Sequence, residues 1–318
     1  MTLSTPDASQ APANPFEQHL DCHNNPHKVQ TRYETHRTNR NAQSRENFLD
    51  QGFTGWQIDK ILSKLIAQST ITTNGVSPLT DHRHNLNLYA RPPRHIKELI
   101  AEIQQELRDV APTLWFSSPE SLHITTLEIA SSRTSDEVNT LATHLLQSGT
   151  ASQLVEYTSD THHLTRLVKP IVSYDASAMA LSFLPAAGEP TARSGELDGD
   201  AQHDDAYSYH HLRRDLAGLV LGSGAELGAR YVVPSAHVTI ARFVGREGEK
   251  VDRENVAALV ERIERVNGML REKYWPAEDG SMAEKGEWLV GEEQGLEFNK
   301  GTSCYGGGKK VLVGKGVE

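Results

Sequence analysis

Cysteine is almost absent from this chain of 318 residues: Cys22 and Cys304 are its whole supply. That excludes a disulfide framework, and their separation excludes zinc-ligand spacing, so a reducing compartment is expected. No apolar run approaches the ~20 residues that a membrane helix needs. Met1 to Ala13 has neither a basic leader nor an apolar core. An intracellular protein, cytoplasmic or nuclear and without a membrane partner, is the expectation. Net positive charge is lacking as well. A formal charge of −10 excludes a basic coat for nucleic acid, but not a local positive pocket that handles one RNA end. Hydrophobic residues make up 37%, low for a chain packed throughout, so part of it should be tail or loop. No Gly-Lys-Ser/Thr accompanies the glycines at Gly306-Gly307-Gly308, which excludes a phosphate loop and leaves a hairpin turn.

What the chain does have is a short pattern that occurs twice. Leu122-His123-Ile124-Thr125-Thr126-Leu127 and Ala236-His237-Val238-Thr239-Ile240-Ala241-Arg242-Phe243 each read His, aliphatic, Thr. In an extended strand alternate side chains share a face, so each segment offers an imidazole and a hydroxyl together. The contexts match too. Each is preceded by a strand-like run ending in proline (Leu86-Asn87-Leu88-Tyr89-Ala90 before Pro92-Pro93, and Ala180 to Pro185), then a helix pattern, then a second proline, Pro119 or Pro234. The repeat of strand, helix, His-x-Thr strand and helix reads as a long-period duplication.

On these residues the chain resembles the two-histidine phosphoesterase superfamily, which includes 2'-5' RNA ligase-like and 2',3'-cyclic phosphodiesterase proteins. The similarity rests on Asn87 to Pro93, Ser121 to Thr125 and Pro234 to Phe243, and spans roughly residues 84 to 318. It departs at Thr126, where an aliphatic residue is usual. The resemblance implies an α+β fold of two pseudo-symmetric lobes. Each lobe would be an antiparallel sheet with flanking helices, and the His-x-Thr strands would face a central cleft. It also implies a metal-independent phosphodiesterase acting on RNA or nucleotide 2',3'-cyclic phosphate ends, with no cofactor, as a monomer. Its alternatives are trimming of RNA 3' ends by the same residues, and a non-catalytic RNA-binding adaptor. A metal-dependent hydrolase built on other histidines is a third reading.

The chemistry fits the residue types. Phosphodiester cleavage without a metal needs a base for the nucleophile and an acid for the leaving oxygen. Imidazoles serve as both near neutral pH, which makes His123 and His237 the candidate catalytic pair. Thr125 and Thr239 are candidates for phosphate binding, donating hydrogen bonds to non-bridging oxygens. Candidate substrate contacts are Arg242, Phe243 and Tyr305. Glu128 and Arg242 each stand five residues after their histidine. That odd spacing turns them away from the histidine face and toward structural use, unless the strand bulges. Phe243 falls on the histidine face of a regular strand, where it either stacks on a base or fills core.

Along the rest of the chain, residues 1 to 46 read as a disordered tail, polar and poor in aliphatics. His19, His23 and His27 within it are spaced for one helical face, as a metal site would require, but no apolar stripe supports that helix. Residues 47 to 83 read as a helix and linker, with Thr54-Gly55-Trp56-Gln57 as a capping box and an apolar stripe from Trp56 to Ile66. Lobe one is expected at about 84 to 160 and lobe two at about 161 to 318. Asp175-Ala176-Ser177 should turn a hairpin. Residues 186 to 205 hold six acids against one arginine and read as a disordered, dispensable insertion. His203-Asp204-Asp205 and His210-His211 are weak metal candidates beside it.

Overall fold

A computed structural model describes residues 14–17, 25–70, 81–192, 205–228, 232–245, 252–305 and 307–317. Among them are seven α-helices: α1 (Pro26–Leu49), α2 (Lys60–Thr70), α3 (Arg94–Arg108), α4 (Ser135–Gln147), α5 (Thr150–Val155), α6 (Tyr209–Gly222) and α7 (Arg253–Tyr274). Nine strands accompany them: β1 (His84–Ala90), β2 (Trp115–Phe116), β3 (Ile124–Arg133), β4 (Thr165–Tyr174), β5 (Ala178–Pro185), β6 (Ala236–Arg242), β7 (Glu287–Val290), β8 (Gln294–Gly301) and β9 (Lys309–Lys315). The protein is a mixed α+β fold on one curled antiparallel sheet, ordered β7-β4-β5-β6-β3-β1-β8-β9, with β2 also pairing with β6.

Local signals account for most of these elements. The periodic Ile96, Leu99, Ile100, Ile103 and Leu107 give α3 a stripe that is fully buried. Thr134 and Glu137 form a capping box at α4, each bonding the other's backbone N–H. Asp175 turns the β4–β5 hairpin, its Oδ1 accepting from the Ser177 and Ala178 amides and the Ser177 hydroxyl. Asp252 caps α7 by accepting from the Glu254 N–H. No helix among the described residues is long and apolar enough to cross a membrane.

Four expectations need correction. The tail expected over residues 1 to 46 holds most of α1, a 24-residue helix started by Asn25 as cap and Pro26 in its first turn. Its mean composition is polar, which hides a narrow contact line. Val29, Tyr33, Arg37, Ser44 and Phe48, one or two turns apart, are buried. Gln30 donates to the Pro185 carbonyl at 2.9 Å and Tyr33 Oη pairs with His210 Nδ1 at 2.9 Å. Phe16, just upstream, is also fully buried. Polar anchors, and not an apolar face, tie this helix to β4, β5 and α6. His27 lies at its first turn, and His19 and His23 lie outside the described residues.

The capping box at Thr54 does not form. Gly55 takes φ 132°, a conformation no helix can use, so α2 begins only at Lys60. Asp59 supplies the cap, its Oδ1 accepting from the Leu62 N–H at 3.0 Å. The boundary expected near residue 160 is not respected by the sheet either. Strands β8 and β9, from the second half of the chain, extend the sheet beyond β1.

The acidic segment expected to be loose is held at both ends. Arg166, 6% exposed, bonds Glu287 at 2.6 Å and Asp205 at 3.1 Å, and donates to the carbonyls of Glu189 and Pro190. Lys169 pairs with Glu189. A buried arginine needs such partners, and this one gathers two acids, Asp205 and Glu287, that stand far apart in the sequence. Residues 193–204, including His203 and Asp204, lie outside the described residues. Asp205 is committed to Arg166, and His211 to the Ser208 amide and hydroxyl, so neither resembles a metal ligand.

The docking of α1 predicts that Tyr33→Ala lowers unfolding stability by about 3 kcal/mol, the usual cost of truncating a buried aromatic. Urea unfolding followed by far-UV circular dichroism measures it. An unchanged midpoint would mean that the helix is not packed on the body.

Candidate functional site

The two His-x-Thr segments lie side by side at the centre of the sheet. Strands β3 and β6 are joined in antiparallel register at one pair, Ile124 opposite Val238. That register sets His123 alongside Thr239 and Thr125 alongside His237, because antiparallel partners shift in opposite directions. Past this pair β3 turns away, and β2 takes its place along β6, Trp115 opposite Arg242 and Phe116 opposite Ala241. The splayed strands open a cavity of about 250 Å³. His123, Thr125, His237 and Thr239 all line it, as do Arg242 and Tyr305.

Arg242 reaches the cavity because β6 is irregular. Thr239 pairs with Ala180 and Ala241 with Met179, so Ile240 is an extra residue on β6. Strand β3 has the same irregularity: Thr125 pairs with Tyr89 and Leu127 with Leu88, leaving Thr126 as the extra residue. Each bulge falls three residues after its histidine. An extra residue inverts the alternation beyond it, so Glu128 and Arg242 come to the histidine face. Both line the cavity. By the same inversion Phe243 leaves that face. It is 4% exposed and stacks on Trp56 with ring centres 3.9 Å apart, so it belongs to the core and not to a substrate contact.

Side chains from helices hold both bulges. Gln104 of α3 donates to the carbonyls of Ser117 and Ile240, each at 2.9 Å, and the Ser117 hydroxyl donates to the Thr239 carbonyl. On the other side Tyr209 and Arg213 of α6 donate to the carbonyls of Thr125 and Thr126. Thr126, the residue that departs from the usual aliphatic, is fully buried and donates its hydroxyl to the Leu88 carbonyl at 3.0 Å. Its polarity thus has a partner, as a buried hydroxyl requires.

The imidazoles are held from behind. His123 Nδ1 lies 2.7 Å from the Ser121 carbonyl. A carbonyl only accepts, so Nδ1 carries the proton and Nε2 of the neutral ring holds the lone pair. The Tyr89 ring packs on His123 at 3.9 Å. Arg91 fixes the segment before it, donating to the carbonyls of Glu120 and Leu122 and pairing with Glu297 at 2.7 Å. Burial works against the Glu297 charge, but Arg91 and Lys310 outweigh it and hold the carboxyl below its usual range. His237 Nδ1 meets the Ser235 hydroxyl at 3.1 Å, which holds the ring without choosing its tautomer.

Burial pushes both histidines down to about 4. For His123 the Ser121 carbonyl opposes that shift. For His237 the positive charge of Arg213 adds to it, followed by those of His123 and Arg242. Both rings are therefore neutral at physiological pH before any anion enters.

No family model matches this chain, and no curated protein does. Among solved structures it is similar to a conserved protein of unknown function from Agrobacterium tumefaciens. The identity is 13% and the TM-score 0.44, over 80% of this chain and 99% of that one. Likeness at that level carries no functional argument.

Several cavity residues escape a motif reading. Asn85, Asn87 and Tyr89 share the cavity face of β1, and Ser303 and Cys304 close its far wall. Their signal was the alternation of polar residues with Leu86 and Leu88 in a run that otherwise looks apolar. Trp115 stands across from Tyr305, ring centres 6.3 Å apart. Tyr305 Oη donates to Asp59 at 2.6 Å and accepts from Arg83 at 2.8 Å, so its ring is fixed at the cavity edge. Asn87 Oδ1, Glu128 Oε1 and Arg242 Nε are buried without a partner, leaving two acceptors and a donor for whatever enters. Among the described residues, no three His, Cys, Asp or Glu side chains are grouped to hold a metal.

In the unliganded protein the His123 and His237 imidazoles should both remain neutral down to about pH 5, as followed by their ring-proton chemical shifts in nuclear magnetic resonance. Midpoints near 6.5, the reference value, would show the rings to be hydrated instead.

Proposed function

We propose that this protein is a metal-independent phosphodiesterase that opens 2',3'-cyclic phosphates at RNA or nucleotide ends. The observation that carries the proposal is the Ile124–Val238 register, which sets two imidazoles and two hydroxyls around one cavity. The bulges at matching positions support reading the two segments as halves of one duplicated unit.

A cyclic phosphate in the cavity receives hydrogen bonds on its non-bridging oxygens from Thr125 and Thr239, while Arg242 offsets its charge. One imidazole takes a proton from water, whose oxygen attacks phosphorus. The other gives its proton to the departing 3'-oxygen as the phosphorus–oxygen bond breaks, leaving a 2'-phosphate and a 3'-hydroxyl. Proton exchange with solvent restores the pair. His123 is the better proton holder. The Ser121 carbonyl favours its cation and Glu297 partly offsets the opposing charges of Arg91 and Arg242, whereas the charges of Arg213, His123 and Arg242 around His237 all oppose a cation there. His237 is therefore assigned as the base. The anionic phosphate raises both rings on binding, which makes the mixed protonation state accessible.

The sign of the pH dependence follows. Free enzyme with depressed imidazoles loses its one required proton as pH rises above about 4. So kcat/KM for a 2',3'-cyclic nucleotide should fall about tenfold per pH unit through the neutral range. The limbs of kcat should lie at higher pH, because they report the phosphate-bound enzyme. A kcat/KM flat from about pH 5 to 8 would remove the acid–base pair. His123→Ala and His237→Ala should each lower turnover by roughly 10²–10⁴-fold, and Thr125→Ala and Thr239→Ala by about 10–10³-fold. Incubation with a chelator should leave turnover unchanged; loss restored by zinc or manganese would instead indicate metal catalysis.

A further inference from the structure

A second cavity, of about 100 Å³, lies between α1 and the sheet and shares His237 and Thr239 with the first. The two cavities thus form neighbouring parts of one groove, with the second histidine strand between them. The α1 side of the smaller one carries Arg37, Arg40 and Asn41, and β4 contributes Ser173.

Arg37 is 6% exposed and lies in an unusual setting for a buried cation. Its Nη1 donates to the carbonyls of Lys169 and Ser182, and Trp275 packs at 5.7 Å. Among the described residues no carboxylate comes within ion-pair distance, the Glu34 charge acting only from further off and against that of Arg271, and its Nε has no partner. Guanidinium stays charged under ordinary conditions, and a buried charge without a counterion is costly. Asn41 Oδ1 and Ser173 Oγ are buried and unpartnered in the same cavity. Arg40, at the mouth, pairs with Asp175 at 2.8 Å, but both side chains are exposed. An exposed pair is weak and exchanges partners readily. Its positive charge also reaches His237. The arrangement combines a buried guanidinium short of an anion, a hydroxyl donor and a second, exposed guanidinium beside the phosphate-handling pair.

We infer that this cavity is a subsite for a second phosphate of the substrate, on the 5' side of the terminal nucleotide. Arg37 and Arg40 would hold it, and the favoured substrate would be an RNA end in preference to a free cyclic mononucleotide. The inference rests on the phosphodiesterase reading above and adds the substrate class to it. A cyclic mononucleotide carries one phosphate and leaves this cavity without an anion. An RNA end brings the next phosphodiester into it, as would a nucleotide bearing a 5'-phosphate.

Calorimetric binding to the full chain separates these cases, using three product-like ligands: a nucleoside 2'-phosphate, a nucleoside 2',5'-bisphosphate and a dinucleotide ending in a 2'-phosphate. The dinucleotide should bind about tenfold more tightly than the 2'-phosphate, as a charge-assisted contact to one further phosphate provides. Arg40→Gln and Arg37→Lys should abolish that gain while leaving 2'-phosphate affinity within about twofold. Arg40 is exposed, so its variant keeps the test decisive even if the Arg37 variant fails to fold. A gain for the bisphosphate alone would assign the subsite to a free 5'-phosphate and overturn the RNA-end preference. Equal affinity for all three ligands, or a uniform loss in the variants, would overturn the subsite itself. If the wild-type protein binds none of them, the phosphodiesterase reading fails, and this inference with it.

Discussion

Ile124 and Val238 meet where β3 and β6 touch in register, and the rest of the site follows from that contact. Both side chains are essentially fully buried, so the aliphatic residue of each His-x-Thr segment anchors its strand in the core. The flanking His and Thr are thereby turned to the opposite face, into the cavity. Sliding the pairing by one residue would exchange the faces and bury imidazoles where aliphatics now pack. The cost of that exchange keeps the four polar side chains together without any direct bond between them. It also explains why the cavity lies at the centre of the sheet, where the strands diverge after a single pair.

The second constraint is the supply of partners for irregular backbone. A bulge leaves ladder groups unpaired, and buried carbonyls require donors. Here α3 provides Gln104 behind β6 and α6 provides Arg213 behind β3. These helices carry ordinary apolar stripes, yet each sends one polar side chain through the packing layer to a carbonyl. The consequence is chemical. By holding the bulges, the helices keep Arg242 and Glu128 in the cavity and Phe243 in the core. Arg213 has an additional effect, since its charge adds to the burial that keeps the His237 ring neutral.

The first helix is joined to the body by a different mechanism. Few apolar side chains hold it, and hydrogen bonds from Gln30, Tyr33, Arg37 and Asn41 to carbonyls and ring nitrogen do much of the work. Such contacts are specific but individually modest. They place basic residues along one side of the groove in a chain whose overall charge is −10. Arg166 plays a comparable part at the far end of β4, gathering Asp205 and Glu287 so that the borders of the acidic segment are fastened to the sheet.

Much of this architecture was legible in the residues themselves. Helical periodicity marked α3 and α7, Asp175-Ala176-Ser177 marked the hairpin, and the paired His-x-Thr segments marked the cavity. These features depend on residues within a few positions of one another, where the pitch of a helix or the alternation of a strand sets direction. Other features depended on distant neighbours. The polar average of residues 26 to 49 concealed α1, because its partners are carbonyls on β4 and β5 and a histidine on α6. Regular alternation placed Phe243 in the cavity and Arg242 outside it, and the bulge at Ile240 reversed both. Nothing in the residues of β6 specifies that bulge; its carbonyl is satisfied by Gln104, 136 positions away. The sequence by itself determined which strands bring the paired histidines and threonines and which residues could form helices. Tertiary structure alone decided which side chains share the cavity, because strand register and bulges are settled by hydrogen-bond partners that only folding brings near.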